Sequence, residues 1–160
     1  QVELHGDDRY GLRVLYPDTS PSDSERDVSV SRYRVVDATH STINRMQRVS
    51  GTFPSQVVVG TEYDIAYTLE NLGSVEELVT IRFYASRNSY ISSYDTELGQ
   101  VLWSMPAGSA VRGLKRVTIP ASLQGQNYYF GYRADPSRVI PESNEINNFV
   151  SNYERLEVLD

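Results

Sequence analysis

Residues 133–158 read RADPSRVIPESNEINNFVSNYERLEV. From Ala134 to Asn148 this stretch holds two prolines, three asparagines, two glutamates and an aspartate, set between runs rich in aromatic and β-branched residues. Three structures suit such a mixture: a metal site, a binding loop, or a well-made turn. A hard cation such as Ca²⁺ takes oxygen ligands, and Asp135, Glu142 and Glu145 are the candidates to supply them. The spacing matches no EF-hand or aspartate-glycine repeat, so the simpler expectation is a turn. Asp135 and the amides of Asn144, Asn147 and Asn148 then bond groups of the loop, as Asx residues do, while Val139 and Ile140 cover the edge of the core.

Upstream of this loop the chain alternates with period two. TEYDIAYTLEN (61–71) puts Tyr63, Ile65, Tyr67 and Leu69 on one face and Asp64, Ala66, Thr68 and Glu70 on the other, the pattern of a strand covered on one side. LVTIRFYAS (78–86) repeats it with Val79, Ile81, Phe83 and Ala85, and QNYYFGYRAD (126–135) with Tyr128, Phe130, Tyr132 and Ala134. DVSVSRYRVVD, ELGQVLWSMP, VRGLKRVTIP and NFVSNYERLEV complete the set, and SQVVVG (55–60) is placed to return to a sheet edge. TINRMQRV (42–49) reads as a turn or two of helix at most. Turn residues at Asn71, Gly73, Pro106, Gly108 and Gly125 separate the runs. About seven short strands divided in this way predict an all-β, immunoglobulin-like antiparallel sandwich.

Residues 1–26 form a separate arm ahead of a domain at 27–160. Within it RYGLRVLY (9–16) is strand-like, with Leu12, Val14 and Tyr16 in phase, and PDTSPSDSERD after it has the composition of a linker. Twelve tyrosines against four phenylalanines suit a sheet whose rings are buried while their hydroxyls reach water.

The composition removes several functions. A formal charge of -6, with no block of basic residues, lacks the attraction that nucleic-acid binding needs. No cysteine is present, which excludes disulfides, thiol nucleophiles and thiolate metal sites. A run of about 18 apolar residues, enough to cross a bilayer, is missing. His5 and His40 are the two histidines, and neither sits in a zinc spacing or near a nucleophile elbow. No catalytic site is expected.

Taken in order, TLENLGS, VTIRFYAS, DTELGQ, MPAG, YYFGYRADPSRVIPESNEINN and a final LEV resemble the CARDB domains, cell-adhesion-related domains found in bacteria. The resemblance covers roughly residues 27–160, and the block from Ala134 to Asn148 is its most specific part. It implies a non-enzymatic β-sandwich module at the cell surface or outside the cell. The 87–97 loop departs from the pattern, with only Asp95 and Glu97 near its end, so the resemblance does not extend to a calcium site there.

Function is then expected in one of two forms. A structural or adhesive protein can polymerise with itself if Leu12, Val14 and Tyr16 add as a strand to a neighbouring copy. The alternative is an accessory module of a larger secreted protein that binds a surface glycan or a cell-surface protein. No cofactor is expected beyond the Ca²⁺ considered above.

Overall fold

The computed structural model describes residues 26–30, 46–48, 56–142, 145–152 and 154–160. The strand expected at 9–16, with Leu12, Val14 and Tyr16, lies outside the described residues, as do Asn144, His5 and His40. Among the described residues ten strands run in chain order: β1 (Val28–Val30), β2 (Met46–Arg48), β3 (Gln56–Val58), β4 (Glu62–Asn71), β5 (Glu77–Ser86), β6 (Thr96–Met105), β7 (Ala110–Thr118), β8 (Asn127–Ala134), β9 (Phe149–Ser151) and β10 (Leu156–Leu159). One 3-10 turn, Ala121–Leu123, joins β7 to β8.

In the first sheet β7 pairs with β4 from Glu62 to Glu70, while β1 and β2 share the opposite edge of β4, facing Val28↔Asn71 and Arg48↔Tyr63. The second sheet runs β3, β10, β8, β5, β6, with β9 beside β10 on the same edge of β8. All pairs are antiparallel except β3 with β10, which lie parallel. β4 to β9 lie between β3 and β10 in the chain, so this pair is joined by a long crossover rather than a hairpin, as parallel pairing requires.

Several sequence expectations change here. NFVSNYERLEV is two strands rather than one, because Asn152 bonds Phe130 through its backbone N–H and through an Oδ1 that accepts from the Phe130 N–H at 2.7 Å. Its Nδ2 donates to the Glu154 carbonyl at 2.6 Å and holds the break between β9 and β10. Met46–Arg48, expected as helical turn, is a strand because β4 offers it a free edge at Tyr63–Ile65. SQVVVG returns to an edge as β3.

β4 is buried on both faces, not one. On its outer side the Arg116 guanidinium lies over Asp64, at 3.2 and 3.4 Å, and Ser29 Oγ donates to Glu70 at 3.2 Å. Its inner side meets β5 and β8 in the core, where Tyr67, Phe83 and Tyr132 pack with ring centroids 5.4, 6.2 and 5.7 Å apart. Three of the core tyrosine hydroxyls bond within the protein instead of reaching water. Tyr67 Oη accepts from Trp103 Nε1 at 2.9 Å, Tyr132 Oη from the Thr68 N–H at 3.1 Å, and Tyr63 Oη from the Val58 N–H at 3.0 Å. Each of the three crosses from one sheet to the other, so the rings supply apolar burial and their tips tie the layers together.

Candidate functional site

The stretch from Ala134 begins where the β8 ladder ends. Asp135 N–H still donates to the Thr80 carbonyl at 2.9 Å, but its own φ is +38° and that of Arg138 is +52°. Aspartate tolerates this left-handed backbone because its short carboxylate bonds locally. Here it accepts from the Val139 N–H at 3.0 Å and the Ile140 N–H at 2.8 Å. Ile140 is thereby turned into the core, whereas Val139 is 76% exposed, so only one of the pair covers the core edge.

The rest of the loop reaches β1. Glu142 Oε2 accepts from the Val28 N–H at 3.1 Å, and Glu142 Oε1 accepts from Asn148 Nδ2 at 3.0 Å. Asn147 Nδ2 donates to Asp27 Oδ1 at 3.1 Å, and the Asn147 carbonyl accepts from the Val30 N–H at 3.1 Å. Alongside, the Arg26 guanidinium grips both oxygens of the buried Glu77 carboxylate, with Nη2 to Oε2 at 2.7 Å. The loop is therefore a clasp: it holds the short β1 strand of one sheet to the β8 end of the other. Asn71 completes the same end of the sandwich. Fully buried, it donates through Nδ2 to the carbonyls of Val75, Met105 and Pro106, and its Oδ1 accepts from the Gly73 N–H.

Asp135, Glu142 and Glu145 thus occupy one end, but each turns to a different partner, with Glu145 Oε2 3.5 Å from Arg138 Nε. Among the described residues no group of three acidic or histidine side chains is arranged to hold a metal ion. Asp95, at the opposite end, accepts from Ser92 N–H and Ser92 Oγ at 2.7 and 3.0 Å. Arg26 and Asp27 were not singled out by sequence reasoning, and no local signal marks them, because their partners lie far along the chain.

Burial pushes the Glu142 carboxyl up to about 8, overcoming the hydrogen bonds from Val28 and Asn148 that favour the anion; neighbouring Glu145 and Asp135 push the same way. The fold thus prefers the protonated acid. Its stabilising effect is complete below the ordinary carboxylate range and is lost as pH rises toward about 8. Because Glu142 is only partly buried, the loss is about 1–2 kcal/mol. Glu142→Gln is expected to remove this slope, which urea denaturation of both proteins at pH 5 and pH 9 will measure.

β6 and β7 stand at the margins of their sheets, and the Lys115 side chain of β7 reaches across to Gly99 of β6. Among the described residues β6 pairs only with β5 and β7 only with β4. Leu98, Val101 and Trp103 of β6 and Val111 of β7 point inward there and are half-buried against the core.

Two sheets closed over a tyrosine-rich core, with a loop clasp at one end and no catalytic constellation among the described residues, define an immunoglobulin-like β-sandwich module. The CARDB family model matches residues 42–152, and the chain belongs to the CARDB family. CARDB domains are non-catalytic modules, often parts of larger proteins, and occur in bacterial surface or secreted proteins.

Among solved structures, the crystal structure of the CARDB domain of PF1109 from Pyrococcus furiosus, in complex with di-metal ions, is 16% identical with a TM-score of 0.54. It covers 85% of this chain and 96% of that one. The solution structure of the same PF1109 domain gives 16% identity and a TM-score of 0.54, covering 85% of this chain and 97% of that one. The β-glucosidase EmGH1 of Erythrobacter marinus, 10% identical with a TM-score of 0.45, matches over 83% of this chain but 15% of its own. No curated protein shows significant similarity. No helix among the described residues is long and apolar enough to cross a membrane.

Proposed function

We propose that this chain is a structural, adhesive module of the cell exterior that assembles with copies of itself, each subunit donating its N-terminal strand to the next. The sheet margins at β6 and β7 support this reading, since among the described residues neither carries a further strand, and a margin flanking half-buried apolar side chains can accept one. RYGLRVLY supplies the matching alternation through Leu12, Val14 and Tyr16. Head-to-tail exchange whose rotation does not close into a ring gives a filament. Light scattering and negative-stain micrographs of the full chain are expected to show polymers, and of the Leu12→Asp, Val14→Asp double variant to show monomers. Identical monomers in both samples would sink the proposal.

Three oxygens favour bound Ca²⁺ as a second role for the clasp. Asn147 Oδ1 and Asn148 Oδ1 are buried without a hydrogen-bond partner, and Glu145 Oε2 makes no hydrogen bond beyond its ion pair with Arg138. The PF1109 domain held di-metal ions. Calcium prefers about six to eight oxygens, and these three with nearby carbonyls and water would begin such a set. Bound cation stabilises the fold by mass action, so millimolar Ca²⁺ should raise the melting temperature by several degrees over the same protein in EGTA. Equal melting temperatures would remove the cation role.

A further inference from the structure

Tyr132 and Ala134 of β8 face the core, and Arg133 between them lies on the outer face of the second sheet, where it is only 6% exposed. An arginine cannot shed its proton, so burial leaves a full charge to be matched. Among the described residues no carboxylate pairs with it. Asp135, two residues on, gives both carboxylate oxygens to the Val139 and Ile140 N–H groups. Arg133 Nη1 makes one long bond, to the Ile91 carbonyl at 3.4 Å, and the Phe149 ring lies 6.0 Å from the guanidinium carbon. Its Nε is buried with no hydrogen-bond partner.

A second cation stands beside it. Arg82 of β5 is directly opposite Arg133 in the ladder, and like charges set across a strand pair are destabilising. Gln100 Oε1 holds Arg82 at 3.3 Å and Glu97 lies at 3.9 Å, so Glu97 balances one cation of the two. Tyr84, next on the same face of β5, buries its hydroxyl without a well-formed hydrogen bond. Burial raises the pKa of this phenol while Arg82 and Arg133 oppose the rise, which places both cations near its oxygen. On the far side of Arg133 the face turns aromatic: Tyr90, 54% exposed, packs on Phe149 with ring centroids 4.5 Å apart.

We propose that this face binds the carboxylate of an acidic saccharide, a uronate, between Arg82 and Arg133, with the Tyr84 hydroxyl as a third donor and the exposed Tyr90 ring against the sugar. The arginine fork matches the two oxygens of a carboxylate, and an exposed tyrosine offers a sugar both an apolar face and a polar tip. The Ile91 carbonyl, bonded at the long end of the hydrogen-bond range, is the partner the ligand displaces. Such a site does not depend on strand exchange.

Melting curves of the full chain are recorded with a galacturonate oligomer, with its uncharged methyl ester and with sodium acetate at matched ionic strength, and calorimetry measures the affinity of the first. The expected result is a midpoint raised by several degrees with the acid oligomer alone. Arg133→Met is expected to melt at or above the parent without ligand, since an apolar chain of similar length removes an unmatched buried charge. It should bind the oligomer at least about tenfold more weakly. Should that variant fail to fold, Arg82→Gln, at a partly exposed position, carries the same affinity test. An equal shift with acetate overturns the saccharide and leaves a carboxylate site. An equal shift with the ester, or none with any of the three, overturns the site. An Arg133→Met protein that melts well below the parent yet binds as tightly shows the guanidinium to be a strut for Ile91 and overturns its part in binding.

Discussion

Gly131→Ala is expected to destabilise the protein by about 3 kcal/mol, more than its single added methyl suggests. A Cβ at Gly131 would stand 2.2 Å from the Val150 carbonyl oxygen and 2.9 Å from Ser151 Cα, both backbone atoms of β9, and 2.8 Å from Ile91 Cγ1. Gly131 faces Ser151 in the ladder, so the methyl cannot be accommodated by rotating a side chain. Either β9 leaves β8 or β8 bends away from it. At Gly113 the added Cβ would meet the Tyr67 ring at 2.5 Å, a side chain that can tilt at the expense of its bond to Trp103, so Gly113→Ala is expected to cost less. For a chain of this size the Gly131 loss lowers the melting temperature by about 6–12 °C, which calorimetry will read. An unchanged midpoint would show that β9 is not seated against β8.

Asn71→Ala is expected to cost about 3 kcal/mol, and Asn71→Asp more at neutral pH. The alanine variant leaves the Val75, Met105 and Pro106 carbonyls and the Gly73 N–H without the partner they have now. Each buried polar group stranded in this way costs about 1–3 kcal/mol, offset in part by local relaxation. Aspartate is worse because it replaces the donating amide with an oxygen facing three carbonyl oxygens, with a charge buried at a fully covered site. Lowering the pH protonates that oxygen and restores one donor. The gap between the two variants should therefore narrow in acid, which paired urea titrations at pH 7 and pH 4 will test. Equal stability of Asn71→Ala and the parent would mean that water replaces the amide.

Strand identity was legible in this sequence because side-chain alternation is a local property. Tyr63, Ile65, Tyr67 and Leu69 had to share a face whatever β4 paired with, and likewise Val79, Ile81 and Phe83 on β5. The clasp was legible in kind but not in partners. Asp135 bonds Val139 and Ile140 within its own turn, and an Asx residue before a bend announces that much. Asn147, in contrast, finds Asp27 across 120 residues of chain, and Glu142 finds Val28 across 114, distances at which no spacing rule operates.

What the sequence alone determined is therefore the class of fold, the inward face of each long strand and the family carried by the Ala134–Asn148 block. Period-two patterning and turn chemistry are written residue by residue and survive without knowledge of neighbours. Only the tertiary structure decided that β4 is buried on both faces and that β3 lies parallel to β10. Those are facts about which strands meet, and pairing depends on the energy of the whole sandwich rather than on any segment of it.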